Sequence, residues 1–184
     1  MATPTRTAPD RAPYDNWRPP IVGVSLLVPI GADCIAVADL RGMLMLPTGG
    51  LHEGQTLHEA ARRVLTDPSG ELQLLRRVTV DRVQTRRRKV ITHVMAAAPL
   101  THEAVPGLVY RDPRATIRVI PTMQFLDQTC PEGKRRLLIS LQALATGEAA
   151  AMDGGVVRAA APGPRALDAR VAQGLPDSTG QRLR

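Results

Sequence analysis

The stretch Leu46–Glu71, LPTGGLHEGQTLHEAARRVLTDPSGE, constrains this chain more than any other segment. An apolar strand end over Met43–Leu46 runs into a loop containing Gly49, Gly50 and Gly54, and the loop runs into a short helix predicted over Thr56–Thr66. Thr56 is placed to cap that helix, with Glu59 three residues on to complete a capping box. Leu57, Ala61 and Leu65 recur at helical spacing with Ala60 and Val64 beside them, giving one apolar face to bury. Glu59, Arg63 and Asp67 form a polar stripe at the same spacing, and Pro68 cannot continue the helix. Unpaired N–H groups and the helix dipole at a loop–helix junction favour anions. Gly49, Gly50 and Gly54 therefore read either as a phosphate cradle or as plain turn glycines, and the sequence leaves both open.

The remaining pattern says what this unit packs on. Ile21–Ile30, Cys34–Ala38 and Met43–Leu46 read as strands, with a tight turn over Asp39–Gly42. Leu72–Val83 and Lys89–Ala98 read as two long strands joined by an arginine-rich hairpin. The second is apolar on both faces, as an inner strand should be. Residues 100–114 read as loop, Thr116–Ile120 as a short strand, and Pro131–Thr146 as a helix closed by Gly147. The order implies an α+β domain over 19–147, helices on a mixed sheet. A flexible arm is expected over 1–18, and a flexible Ala/Gly/Pro/Arg-rich tail over 148–184, with at most a short helix near Arg165–Ala172. Aromatic residues are 2% of the chain, so Val, Leu, Ile, Met and Ala must build the core. Only Tyr14, Trp17, Tyr110 and Phe125 are available to stack on a base.

Charge and cysteine usage narrow the function classes. The net charge of +7 favours phosphorylated or polyanionic partners. Arg86, Arg87, Arg88 and Lys89, with Arg76, Arg77 and Arg82 nearby, read as a nucleic-acid surface or as a solvated hairpin tip, and the second is favoured because base-stacking residues are scarce. Cys34 and Cys130 lie far apart, and no His/Cys spacing suits zinc. A reduced cytoplasmic setting follows, with both thiols buried as small apolar groups. No apolar leader and no 18-residue apolar run is found, so no membrane partner is expected. His52 and His58 read as surface residues, and His93 as a hydrogen-bonded sheet residue. Leu137, Leu141 and Leu144 form a stripe that reads as core or as a homodimer face.

The loop–helix resembles the signature box of the Nudix hydrolases: Gly, five residues, Glu, seven residues, then Arg-Glu-aliphatic-x-Glu-Glu-x-Gly-aliphatic. The match starts at Gly49, keeps Arg63, Leu65 and Gly70, and keeps the Leu-Pro-x-Gly-Gly lead-in. It departs where the chemistry lies: Gln55 replaces the first glutamate, Val64, Asp67 and Pro68 fall on the three helix glutamates, and Glu71 takes the last aliphatic position. The resemblance implies an α/β/α sandwich. It also implies, in active members, one to three divalent ions held by converging carboxylates to bridge a diphosphate and polarise water. With one of those carboxylates kept, it implies a degenerate metal site and a catalytically impaired binding or regulatory protein. The partner would be a phosphorylated, nucleotide-like ligand, contacted by Gly49, Gly50, Gly54, Gln55 and Arg63, or a macromolecule. The alternative is an active pyrophosphohydrolase of nucleoside diphosphate derivatives, using Mg²⁺ or Mn²⁺ on relocated ligands. Asp67, Glu53 and Glu59 are then the first candidates, with Glu71, Glu103 or Asp112 in reserve. Arg63 is expected to pair with Glu59 or Asp67 along the helix.

Overall fold

The computed structural model of the protein describes residues 18–161. Its main sheet has six strands in the order β12-β11-β7-β8-β1-β5, formed by β1 (Ile21–Leu27), β5 (Thr48–Gly50), β7 (Leu74–Gln84), β8 (Lys89–Ala97), β11 (Ala149–Asp153) and β12 (Val156–Ala161). The sheet is mixed: β1 runs parallel to β8 and β11 parallel to β7, while the other pairs are antiparallel. A smaller antiparallel sheet holds β2 (Pro29–Ile30), β3 (Cys34–Leu40), β4 (Met43–Met45) and β10 (Thr116–Pro121).

Alternation along the inner strands creates two cores. Val24 and Leu26 of β1 and Met95 of β8 pack with Ala60, Ala61 and Val64 of helix α1 (Leu57–Val64). Leu27, Val94 and Ala96 face the other way, onto Phe125 and Leu126 of α2 (Thr122–Gln128) and Leu137 and Ala143 of α3 (Pro131–Thr146). Because successive strand side chains point to opposite faces, α1 and α3 lie on opposite sides of the sheet. This is the α/β/α sandwich expected, with β8 an inner strand as its two-sided apolar pattern required. The cores are aliphatic apart from Phe125 and the partly buried Tyr110, in keeping with the scarcity of aromatics.

Several boundaries differ from the sequence reading. The apolar run Ile21–Ile30 is two strands in two different sheets, because the chain changes sheets at Val28. Residues 122–128, read as no element, form α2 between β10 and α3. Residues 102–107 form a 3-10 turn inside the expected loop, followed by the two-residue strand β9 (Val109–Tyr110). In α3 the buried positions are Leu137, Ser140 and Ala143, while Leu138 is exposed. Residues 149–161, placed in the tail, are instead a hairpin that extends the main sheet past β7, with Met152 fully buried. The stretches 1–17 and 162–184, with the helix expected at 165–172, lie outside the described residues. No described helix is long and apolar enough to cross a membrane.

Candidate functional site

The site is built around β5 and the start and end of α1. Thr56 caps α1 as expected: its Oγ1 accepts from the Glu59 N–H at 3.2 Å, and the Glu59 carboxylate accepts from the Thr56 N–H at 2.7 Å. The Thr56 N–H, and then the Thr56 hydroxyl donating to the same carboxylate oxygen at 2.8 Å, hold the Glu59 carboxyl below its ordinary range and commit it to the cap rather than to a metal. Glu53 is exposed in the loop ahead of it. Gly54 sits at φ 74°, a left-handed turn position that strains any L side chain. The Gln55 amide oxygen accepts from the His52 N–H at 3.2 Å, so Gln55 closes the loop on itself.

The end of the helix corrects the sequence reading. The predicted helix runs to Thr66, but Leu65 leaves helical geometry at φ −135°, ψ 113°. Leu65 and Thr66 become strand β6, paired with β9 at Leu65↔Tyr110 and Thr66↔Val109. The strand pairing satisfies the backbone beyond Val64, and Leu65 is buried as a strand residue instead of on the helix stripe. Asp67 and Pro68 lie beyond the helix, as Pro68 implied, and the helix stops two residues earlier than expected. The spacing argument that would converge carboxylates from positions 64, 67 and 68 does not apply, since it assumes helical angles throughout.

Asp67 is also fully engaged. Its Oδ1 accepts from the Ser69 N–H at 2.9 Å and the Ser69 hydroxyl at 2.6 Å, and its Oδ2 accepts from the Leu72 N–H at 2.6 Å. These bonds, the Ser69 hydroxyl first, pull its carboxyl below the usual aspartate value. This is an aspartate that organises the turn into β7. Asp112, one reserve candidate, is bound by two donors of the Arg114 guanidinium at 3.0 and 2.8 Å, which brings its carboxyl to about 2. Among the described residues, no group of three or more His, Cys, Asp or Glu side chains could hold a metal ion. The residues present do not fit the divalent-ion site that the resemblance implies.

Arg63 does not pair with Glu59 or Asp67. Its Nη2 donates to the Gly50 carbonyl at 2.6 Å and lies 3.5 Å from the Gln55 amide oxygen, so it ties α1 to the glycine loop. A second arginine escaped the sequence reading. Arg111 donates from Nε to the Thr48 carbonyl at 3.0 Å, and its backbone N–H donates to the Val64 carbonyl at 3.0 Å. Tyr110 joins them, its hydroxyl donating to the same Thr48 carbonyl at 2.9 Å. Gly49 is where these groups meet. A Cβ there would lie 2.7 Å from Val64 Cγ2 and 3.1 Å from Arg111 Nε, so glycine is required by close approach. Gly50 has open space at that position, and nothing steric requires glycine there.

On the opposite face of the sheet lies a cleft of about 410 Å³. Ser25, Thr48 and Thr92 line its sheet side, Met43, Met45 and Phe125 its apolar wall, and Cys130, Gly133 and Arg136 its α3 side. Arg136 donates from Nε and Nη2 to Asp81 Oδ2 at 2.9 and 2.7 Å, and Asp81 is 2% exposed. Asp81, close in sequence to the basic hairpin, neutralises an arginine of the cleft. Its Oδ1 has no partner. Removing Arg136 leaves the buried Asp81 charge unpaired, which costs less than the roughly 3–5 kcal/mol of a fully buried pair because the Arg136 side of the pair is partly open to water.

The other candidates are less organised. Arg86 and Arg87 are exposed at the hairpin tip, which Thr85 closes by bonding to the Arg88 backbone. Arg76 is not part of that surface: it donates to the Ala143 and Glu148 carbonyls and anchors the end of α3. His93 is a sheet residue, as expected, opposite Val24 of β1 and Val80 of β7; its side chain is half-buried, and its Nδ1 has no partner among the described residues. Burial, then Arg77 and Arg82, lower its imidazole pKa. The thiols are not both buried: Cys34 is half-buried and Cys130 exposed.

No family model matches the chain, and no curated protein matches it by sequence. Solved structures do. A Nudix hydrolase from Nitrosomonas europaea superposes with a TM-score of 0.52 at 13% identity, over 74% of this chain and 80% of that one. A MutT protein from Methanosarcina mazei Go1 gives 0.52 at 15% identity, over 71% and 96%. The ORF135 protein of E. coli gives 0.51 at 14% identity, over 70% and 92%. Likeness at this identity is a statement about backbone architecture, and it coincides with the box frame kept in the sequence at Gly49, Arg63 and Gly70: the chain has the Nudix fold.

Proposed function

We propose that this protein binds a phosphorylated, nucleotide-like ligand without hydrolysing it, in a binding or regulatory role. One observation carries the reading: α1 stops at Val64, and both oxygens of Asp67 are committed to a turn. The box positions that need carboxylates for metal chemistry thus offer an apolar side chain, an engaged aspartate and a proline. The cleft supports the binding half. Its volume is in the range of small-molecule sites, and it sets an apolar wall of Met43, Met45 and Phe125 against polar groups that include Ser25, Thr48 and Thr92 of the sheet and Arg136 of α3. The start of α3, which has no side-chain cap, opens on the same cleft and favours negative charge there.

The test is turnover. Purified protein is incubated with Mg²⁺ or Mn²⁺ and a panel of nucleoside diphosphate derivatives, and phosphate release is followed. The expected result is no release above a protein-free control, with saturable binding of at least one panel member by calorimetry. Metal-dependent release that disappears in Asp67→Ala would refute the reading and establish a hydrolase with relocated ligands.

A further inference from the structure

We infer that Arg63 and Arg111 form an anion site on the outer edge of β5, which takes a phosphate or diphosphate group without a divalent ion. This rests on the reading above that the ligand is phosphorylated.

The backbone of β5 sets the geometry. Leu26 N–H donates to the Pro47 carbonyl and Leu51 N–H to the Val22 carbonyl, so residues 47 and 51 turn inward to β1. Alternation then turns the carbonyls of Thr48 and Gly50 outward, to the free edge of the sheet. Each is taken by an arginine: Thr48 by Arg111 Nε and Gly50 by Arg63 Nη2. The two anchor points are two residues apart, about 7 Å along a strand. Gly49 lies between them, with Val64 and Arg111 packed over it. The box pattern asks for a carboxylate at position 64 and for divalent cations beside it. This chain has an apolar side chain there, with a fixed guanidinium against it.

The charges at this edge are only partly offset from within the described residues: the Asp112 carboxylate acts on Arg111 through space but is bound by Arg114. Neither arginine is in an ion pair there, and the nearest acid in sequence, Asp112, is held by Arg114. Arg111 is exposed, and its Nη groups make no hydrogen bond to a described residue. Arg63 uses Nη2 alone. Two guanidinium groups on neighbouring anchors make this edge positive, which favours an anion there. A phosphoryl group fits, because the planar fork of donors matches its oxygens in bidentate fashion and the charge needs no metal to be met.

Calorimetry with orthophosphate and with pyrophosphate, in excess EDTA at low salt, tests this. Binding without metal is expected, weakened at least tenfold by Arg111→Ala and restored only in part by Arg111→Lys. Thermal unfolding checks that the variants are folded. A second measurement needs no variant: pyrophosphate should protect Arg111 from an arginine-selective dicarbonyl reagent, read by peptide mass spectrometry. The control is the triple change of Arg86, Arg87 and Arg88 to Ala, which should leave binding unchanged. Absence of binding in EDTA overturns the inference, as does binding that ignores Arg111→Ala or follows the hairpin instead. Those results leave the non-hydrolytic reading standing, whereas metal-dependent turnover would remove that reading whatever EDTA shows.

Discussion

Replacing Asp67 by alanine separates a structural carboxylate from a catalytic one. The side chain accepts three hydrogen bonds, from the Ser69 N–H, the Ser69 hydroxyl and the Leu72 N–H. Bonds to a charged group contribute about 1.5–3 kcal/mol each when shielded. Asp67 is only half-buried, and water can replace part of what is lost, so the expected cost is about 2 kcal/mol in all. For a chain of this size that is a fall in Tm of roughly 4–8 °C. The pH dependence has a definite sign. The folded carboxyl titrates below its ordinary value of 3.8, so the stabilisation is fully present above that value and is lost as pH falls through the lower, folded one. Thermal melts of wild type and variant should therefore differ at neutral pH and converge in acid. Added Mg²⁺ should shift neither curve, since binding to the native state alone would raise Tm. A variant as stable as wild type that has lost a Mg²⁺-dependent rise in Tm would refute the reasoning.

Two further outcomes follow from packing. Gly49→Ala puts a methyl group 2.7 Å from Val64 Cγ2, and should cost about 1–3 kcal/mol in urea unfolding, with Val64→Ala recovering part of the loss in the double variant. Ending the chain at Gly147 removes β11 and β12 and uncovers the long edge of β7, including the pairing of Met152 with Asp81. The truncated protein should unfold at markedly lower urea than the full chain, with a smaller denaturant slope because less surface is buried; an unchanged midpoint would show the hairpin to be dispensable.

The frame of the domain could be read from residues because its signals are local. The capping box at Thr56 and Glu59, the two-sided apolar pattern of Val90–Ala97, and Pro131 with Gly147 at the ends of α3 each act within one turn or one strand. Elements without such signals were missed. The short α2 starts at Pro121 with no side-chain cap, and the hairpin 149–161 is built largely of Ala, Val and Gly, a composition that also suits a tail. Of the residues that meet around β5 and α1, Gly49, Gly54 and Arg63 carry a signal in the sequence and Arg111 does not. It lies 47 residues beyond Val64 in a segment read as loop, and nothing near it in sequence marks it.

By itself, then, the sequence determined that the loop–helix frame is kept and that the carboxylates expected on it are largely gone, since both are matters of residue type at fixed spacing. Only the tertiary structure decided where the helix stops. The local pattern carries α1 to Thr66, but pairing of Leu65 and Thr66 with Tyr110 and Val109 gives their backbone groups partners in another conformation. That pairing ends α1 at Val64 and brings Arg111 against Val64 and Gly49. Both are consequences of long-range contacts, which a spacing rule does not contain.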